Sequence, residues 1–235
     1  MNMKSPSDII RAAQKEKRKA LFEHEAKELA HSAGIPLPTS AVCETKDQDT
    51  ILAAAGKLGF PLALKAISPD IVHKTEAGAV ILDIPDSAYL VTALAKMRDT
   101  ISTRAPGAAI RGFFLETMMP PGLELLVGGL RDEQFGPSIA FGLGGIWVEA
   151  LKDAVFGILP MSEQEILDMM SQTRANMFLQ GFRGSPPLDQ GAVLSIINAL
   201  SVLMNDNPMI TQIDLNPVRV YEKGAAVLDI RIILI

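Results

Sequence analysis

Apolar positions along the chain alternate between a helical period and short continuous runs, which predicts helices interleaved with buried strands. Ser5-Pro6-Ser7-Asp8 reads as a helix start, with a cap residue followed by proline, and a helical pattern continues to about Ser32 before Gly34 stops it. A short strand is expected near Thr39–Val42 and a helix over Asp47–Gly59. Pro61–Ile67 is an apolar strand interrupted by one lysine, and the polar loop Ser68–Gly78 leads into a second strand, Ala79–Ile84. Asp86 to about Thr103 has a helical period, Arg111–Met118 reads as a strand, and Pro120-Pro121-Gly122 turns the chain. Strands follow at Glu124–Leu130 and Ser138–Gly142, then the flexible Gly142-Leu143-Gly144-Gly145. Ser162 with Glu165 forms a capping box for a helix to about Leu179, and a second helix spans Asp189–Leu203. Two strands close the chain, Ile210–Leu215 and Ala225–Leu234. Several neighbouring strands have short connections, which suit antiparallel pairing rather than βαβ crossovers. The expected class is α+β, with two lobes.

Composition narrows the function. The chain has 235 residues, 48% of them hydrophobic, so it can bury a sizeable core. A net charge of −5 argues against non-specific nucleic-acid binding, and 5% aromatic residues argue against a base-stacking platform. A single cysteine, Cys43, forms no internal disulfide and fits a reducing compartment. Met1–Asp8 lacks the apolar stretch of a signal peptide, and no apolar run reaches membrane-spanning length. The expectation is a cytoplasmic protein that contacts neither membrane nor nucleic acid. The basic cluster Arg11, Lys15, Lys17, Arg18 and Lys19 reads as a solvated helix face, and His24 and His31 as structural.

Four groups of residues could carry chemistry. Lys65, inside an apolar strand, must direct its ammonium to an anion or a wet cleft, or be buried at high cost. The loop after it holds His73 and Lys74 among hydroxyls and a glycine, the inventory of a phosphate-covering loop. Imidazole can take up a phosphoryl group and return it near neutral pH, and Lys74 beside it would offset the charge on a transferring group. Glu116-Thr117-Met118 ends a strand and Glu124 follows the Pro-Pro-Gly turn. Two carboxylates flanking exposed backbone could hold an adenine and a ribose, or could be two exposed acids. Asp214 and Asn216, two apart on a strand, face one side, and Asp229 with Arg231 on the next strand can sit beside them. Hard oxygen donors near an arginine suit Mg²⁺ bridging nucleotide phosphates, although hairpin turn residues would look the same.

The order of these groups resembles the ATP-grasp superfamily, and more closely the β subunit of the ADP-forming acetate–CoA ligases, relatives of succinyl-CoA synthetase. The resemblance runs from about residue 20 to the C-terminus. It rests on Phe60–Lys65 continuing into Ser68–Thr75, on Arg131–Pro137, on Phe141–Gly145, and on Asp214-Leu215-Asn216-Pro217 with Leu228–Arg231. It implies an ATP-grasp fold in which two α+β lobes with largely antiparallel sheets enclose ATP or ADP, over segments 1–20 (helical), 21–112 (smaller lobe) and 113–235 (larger lobe). By resemblance, Lys65 meets the nucleotide phosphates, and Glu116 with the Thr117–Met118 backbone forms the purine hinge. Glu124 holds the ribose, Asn216 and Asp229 ligate Mg²⁺ with Asp214 supporting them, and His73 relays phosphoryl to a CoA-binding α subunit, in an assembly such as α2β2. The implied reaction interconverts acyl-CoA, ADP and phosphate with a carboxylic acid, CoA and ATP. An ATP-grasp carboxylate–amine ligase or a regulatory domain without turnover are the alternatives. Two positions depart from the family pattern: Ala79, where a second glycine is usual, and Gly157, where an arginine is usual.

Overall fold

The structure, a computed structural model, describes residues 5–71, 74–145 and 153–235. The chain divides into two compact units, a large one of Met1–Leu37 with Pro121–Ile235 and a small one of Pro38–Pro120. Among the described residues, all strand pairs are antiparallel. No helix among the described residues is long and apolar enough to cross a membrane.

The small unit is a four-stranded sheet in the order β1-β4-β2-β3, formed by β1 (Ser40–Cys43), β2 (Leu62–Ile67), β3 (Val80–Ile84) and β4 (Gly112–Thr117). Two helices, α3 (Gln48–Leu58) and α4 (Ser87–Arg104), cover one face. Asp47 and Asp86 cap their N-termini, accepting from the Thr50 and Tyr89 amides. Gly59, at φ +81°, ends α3. Leu62, Leu64 and Ala66 alternate into the core with Phe113 and Leu115, against Ile51, Leu90, Leu94 and Met97.

The large unit carries a six-stranded sheet in which β10-β8-β5-β6-β7 are neighbours and β9 also pairs with β8. Its strands are β5 (Leu123–Asp132), β6 (Gly136–Leu143), β7 (Val155–Ile158), β8 (Ile210–Val220), β9 (Ala225–Val227) and β10 (Ile230–Leu234). The helices α5 (Glu163–Ser171), α6 (Ala175–Leu179) and α7 (Gln190–Asp206) share its core with α1 (Pro6–Lys15) and α2 (Glu23–Ser32).

Several expectations from sequence are corrected. The single N-terminal helix is two. Between them Lys17 takes φ +57° and the chain runs along the sheet edge, where Ala20 bridges Ile233 and the Leu21 amide donates to the Ile232 carbonyl. Arg18 is no solvated charge, since its guanidinium pairs with Glu25 at 2.7 Å and stacks 4.1 Å from the Phe22 ring centroid. Because helices α1 and α2 share this sheet's core, the boundaries fall at 37/38 and 120/121 rather than near 20 and 112. The helix expected over Ser162–Leu179 is broken into α5 and α6, β8 extends five residues beyond Leu215, and β7 had not been expected.

The motif Arg131–Pro137 builds the β5–β6 hairpin. Asp132 accepts from the Gln134 and Phe135 amides at 2.8 and 3.0 Å, which hold its carboxyl below the usual range. Arg131 donates to the Ile210, Met204 and Asn207 carbonyls, tying the hairpin to the end of α7. Gly144 continues from β6 so close to β5 that a Cβ would press into the Leu125 backbone, while its amide donates to the Glu124 carbonyl at 2.9 Å. Backbone atoms cannot swing aside. Gly144→Ala is therefore expected to lower stability by about 1–3 kcal/mol, measured as a lower urea midpoint. An unchanged midpoint would mean that the β5–β6 approach is looser than described.

Candidate functional site

In the small unit, Lys65 and Glu116 stand on the two central strands. The β2–β4 register sets Lys65 opposite Phe114 and Ala63 opposite Glu116, so these four share the face away from α3 and α4. Lys65 Nζ lies 3.1 Å from Glu116 Oε2, with side-chain exposures of only 10% and 5%. The anion that a strand lysine requires is supplied from within the same sheet. The carboxylate expected to meet a purine is thus engaged with the cation expected to meet phosphate.

The hinge backbone is also engaged. The Thr117 amide donates to the Thr39 carbonyl at 2.9 Å and the Met118 amide to the Pro61 carbonyl at 3.0 Å. Those two N–H groups serve the sheet, so neither could serve a purine without giving up its present bond.

Val72 and His73 lie outside the described residues. Around them, the Ala79 amide donates to the Lys74 carbonyl at 2.7 Å and the Gly78 amide to the Thr75 carbonyl at 3.1 Å, closing the loop as a tight turn. Gly78 takes φ +70° with its α-carbon against the Thr100 side chain, and a Cβ would have no room there. Ala79 is fully buried and needs no positive φ, so its methyl joins the core at no backbone cost.

In the large unit, the residues expected to ligate a metal gather around an irregularity in β8. Leu215 pairs with Val127 and Val218 with Leu125, so Asn216 and Pro217 together oppose the single residue Leu126. This β-bulge lets Leu215 and Val218, three apart, both enter the core, and keeps Asn216 on the face that carries Asp214. Arg231 on β10 is the direct register partner of Asp214. Asp229 sits in the link between β9 and β10, level with the bulge, and the Asn216 amide donates to its carbonyl at 3.3 Å. The expected group Asp214, Asn216, Asp229 and Arg231 is therefore assembled.

Electrostatics fits a cation. Burial, and next the charge of Asp229, push the Asp214 carboxyl above its usual range, with Arg231 opposing. No group of three or more His, Cys, Asp or Glu side chains able to hold a metal ion occurs among the described residues. Two carboxylates and an amide suit a hard ion such as Mg²⁺, which keeps water and phosphate oxygens in its remaining positions.

Glu124 on β5 is met by Arg219 of β8, its register partner, through Nη2–Oε1 at 2.9 Å and Nε–Oε1 at 3.1 Å. Arg219 was not among the sequence candidates. The two are 95 positions apart, and only the β5–β8 register brings them together. The Gly145 amide donates to Asn216 Oδ1 at 3.3 Å, and a Cβ at Gly145 would strike the Glu124 carboxylate. The Gly144-Gly145 pair so links the acid to the oxygen ligands. Gly157 lies on β7, where a Cβ would meet the flexible Met161 and Met169 side chains.

Two antiparallel α+β units, one with a strand lysine and the other with oxygen-bearing side chains at a bulge, agree with the ATP-grasp resemblance of the sequence. The chain belongs to that family, whose profile, the ATP-grasp domain, matches residues 12–234. It is 37% identical over 227 residues to the acetate–CoA ligase (ADP-forming) I subunit beta of Pyrococcus furiosus, with 97% of each chain covered. It is also similar to a structure of "Ca. Korarchaeum cryptofilum dinucleotide forming Acetyl-coenzyme A synthetase 1" in complex with coenzyme A, Ca-AMPCP and HgCl+. There the TM-score is 0.93 and the identity 36%, over 98% of this chain and 100% of that one. A second structure of that protein holds coenzyme A and Mg-AMPPCP, with its phosphohistidine segment pointing towards the nucleotide binding site. Its TM-score is 0.85 and its identity 35%, with the same coverage.

Two predictions follow from this geometry. Lys65→Met takes the cation at 3.1 Å from a buried carboxylate and is expected to cost about 3–5 kcal/mol of stability, whereas Lys65→Met/Glu116→Leu recovers most of it in thermal unfolding. Equal melting of the two variants would remove the pair from the small unit's energetics. Because the Asp214 carboxyl is raised, the chelator-treated protein loses stability as pH rises from the usual carboxyl value through the raised one. Asp214→Asn should therefore melt higher than wild type at pH 7 in chelator, with the difference vanishing near pH 3. A pH-independent difference would contradict the strained carboxylate.

Proposed function

We propose that this chain is the nucleotide-binding β subunit of an NDP-forming acyl-CoA synthetase, which interconverts acyl-CoA, ADP and phosphate with a carboxylic acid, CoA and ATP. The observation that carries the choice among ATP-grasp reactions is the end-to-end similarity, 97% of each chain, to an ADP-forming acetate–CoA ligase β subunit. The small unit would contribute Lys65 and Lys74 to the phosphates and the Glu116–Met118 segment to the purine. The large unit would contribute Glu124 to the ribose and Arg231 to the phosphates.

Asn216 and Asp229, supported by Asp214, would hold Mg²⁺, which when bound supplies neutralisation of phosphate-oxygen charge. Binding nucleotide would have Lys65 and Glu124 exchange part of their present ion pairs for contacts to phosphate and ribose. His73 would accept the terminal phosphoryl group: the bond from phosphorus to the ADP oxygen breaks as the bond to the imidazole nitrogen forms. It would then surrender the group towards a CoA-binding α subunit. The relative's designation as a subunit beta supports such a partner, and an α2β2 assembly is one that this reading allows. The free, buried Cys43 supports a cytoplasmic setting.

The test is a transfer experiment with the partner subunit, Mg²⁺ and γ-labelled ATP. Wild type should take up acid-labile, base-stable label on this chain. His73→Ala should take up none, and should lose at least about a thousandfold in overall rate, while ATP binding stays within a few fold. Full activity in His73→Ala would exclude the relay and favour a carboxylate–amine ligase or direct transfer.

A further inference from the structure

Helix α2 buries a charge pair that the proposed reaction does not use. The Glu23 and Lys27 side chains are 5% and 4% exposed, with Oε1 and Nζ 3.4 Å apart. Lysine is rarely buried to this extent unless it is paired. A buried ion pair also adds little stability over apolar residues of the same size, because both charges must be stripped of water. Its position therefore needs another account.

The outer edge of β9 and β10, both of which pair with β8, supplies one. Backbone groups of the N-terminal segment satisfy that edge along most of its length. The Val227 amide donates to the Pro36 carbonyl at 2.9 Å, the Leu21 amide to the Ile232 carbonyl at 3.1 Å, and the Leu234 amide to the Lys19 carbonyl at 2.8 Å. At Leu228 the donor is instead a side chain, Lys27 Nζ, 2.8 Å from the carbonyl oxygen. The peptide joining Leu228 to Asp229 is planar, so fixing that oxygen also fixes the nitrogen and α-carbon of Asp229. On the other side of Asp229, its carbonyl accepts from the Asn216 amide at 3.3 Å. Both peptide groups flanking the carboxylate are thus held, one by the bulge and the other by an ammonium that Glu23 keeps in place.

We infer that Lys27 is a positioning residue for Asp229: by holding the Leu228 carbonyl it aims the following carboxylate at the cation site beside Asn216 and Asp214. The inference rests on Asp229 being a cation ligand under the proposed function. Groups that orient a ligand from behind commonly change metal affinity tenfold or more when removed.

The test compares Glu23→Gln, Lys27→Arg and Glu23→Gln/Lys27→Met with wild type. The double variant removes both charges of the 3.4 Å pair together. Calorimetry of ATP binding across a Mg²⁺ titration should show the half-saturating Mg²⁺ concentration raised about tenfold or more in the double variant. ATP affinity in chelator should stay within about twofold, and Glu23→Gln and Lys27→Arg, which keep a donor, should stay near wild type. A merely structural role would lower the melting temperature and leave the Mg²⁺ midpoint unmoved, and that result would overturn the inference. Amide hydrogen exchange gives a readout that needs no nucleotide. In the double variant the Asp229 and Ile230 amides should exchange at least about tenfold faster, with the slowest core amides unchanged. If wild type shows no Mg²⁺-dependent ATP binding, the proposed function fails, and exchange alone then decides whether Lys27 fixes this segment. Wild-type exchange at both amides would mean that it does not.

Discussion

The Asn216–Pro217 bulge is the constraint on which the large unit depends. Strand β8 must feed Ile213, Leu215, Val218 and Val220 into one core, and strict alternation cannot place both Leu215 and Val218 there. Two residues opposing the single Leu126 absorb the mismatch. The same step breaks the neighbouring strand into β9 and β10, and the link between them carries Asp229. Core packing and the gathering of Asp214, Asn216 and Asp229 therefore have one cause. A β8 without the bulge would turn either Asn216 into the core or Val218 out of it.

Charge pairing is the second theme. Lys65 meets Glu116, and Arg219 meets Glu124, each across adjacent antiparallel strands. The long side chains of both pairs are held in defined positions by partners of opposite sign. This arrangement fixes long side chains that would otherwise be costly to order on binding. The Asp214–Asp229 neighbourhood differs. There burial, and after it the charge of Asp229, raises the Asp214 carboxyl, with Arg231 opposing.

The stretches that carry the family resemblance divide between frame and site. Arg131–Pro137 is frame, a hairpin closed by Asp132 and tied down by Arg131. Gly142–Gly145 serves both, since Gly144 permits the β5–β6 approach and Gly145 touches Glu124 and Asn216. Of the two departures, Ala79 is absorbed into the small core. Gly157 is set under methionines that could move, and nothing in the structure explains the preference for glycine there.

Local chemistry made much of the fold legible from sequence. Asp47, Asp86, Ser162 and Asp189 announce helix starts because a short acceptor at that position satisfies orphan amides. The apolar runs of β2, β4 and β8 are visible because burial on a sheet selects them. Lys65 stood out because a charge in such a run demands a partner, and the Asp214–Asn216 spacing placed both on one face. Tertiary structure alone decided the rest. Which anion Lys65 meets depends on the β2–β4 register, and Arg219 reaches Glu124 only through β5–β8. The break between α1 and α2 exists because the sheet edge offers backbone partners that a continuing helix would forgo. Lys27 reads as an ordinary helical lysine until a carbonyl 201 residues away lies 2.8 Å from its ammonium. Sequence spacing encodes neighbours within one element, whereas pairings between distant elements are set by how their apolar faces pack.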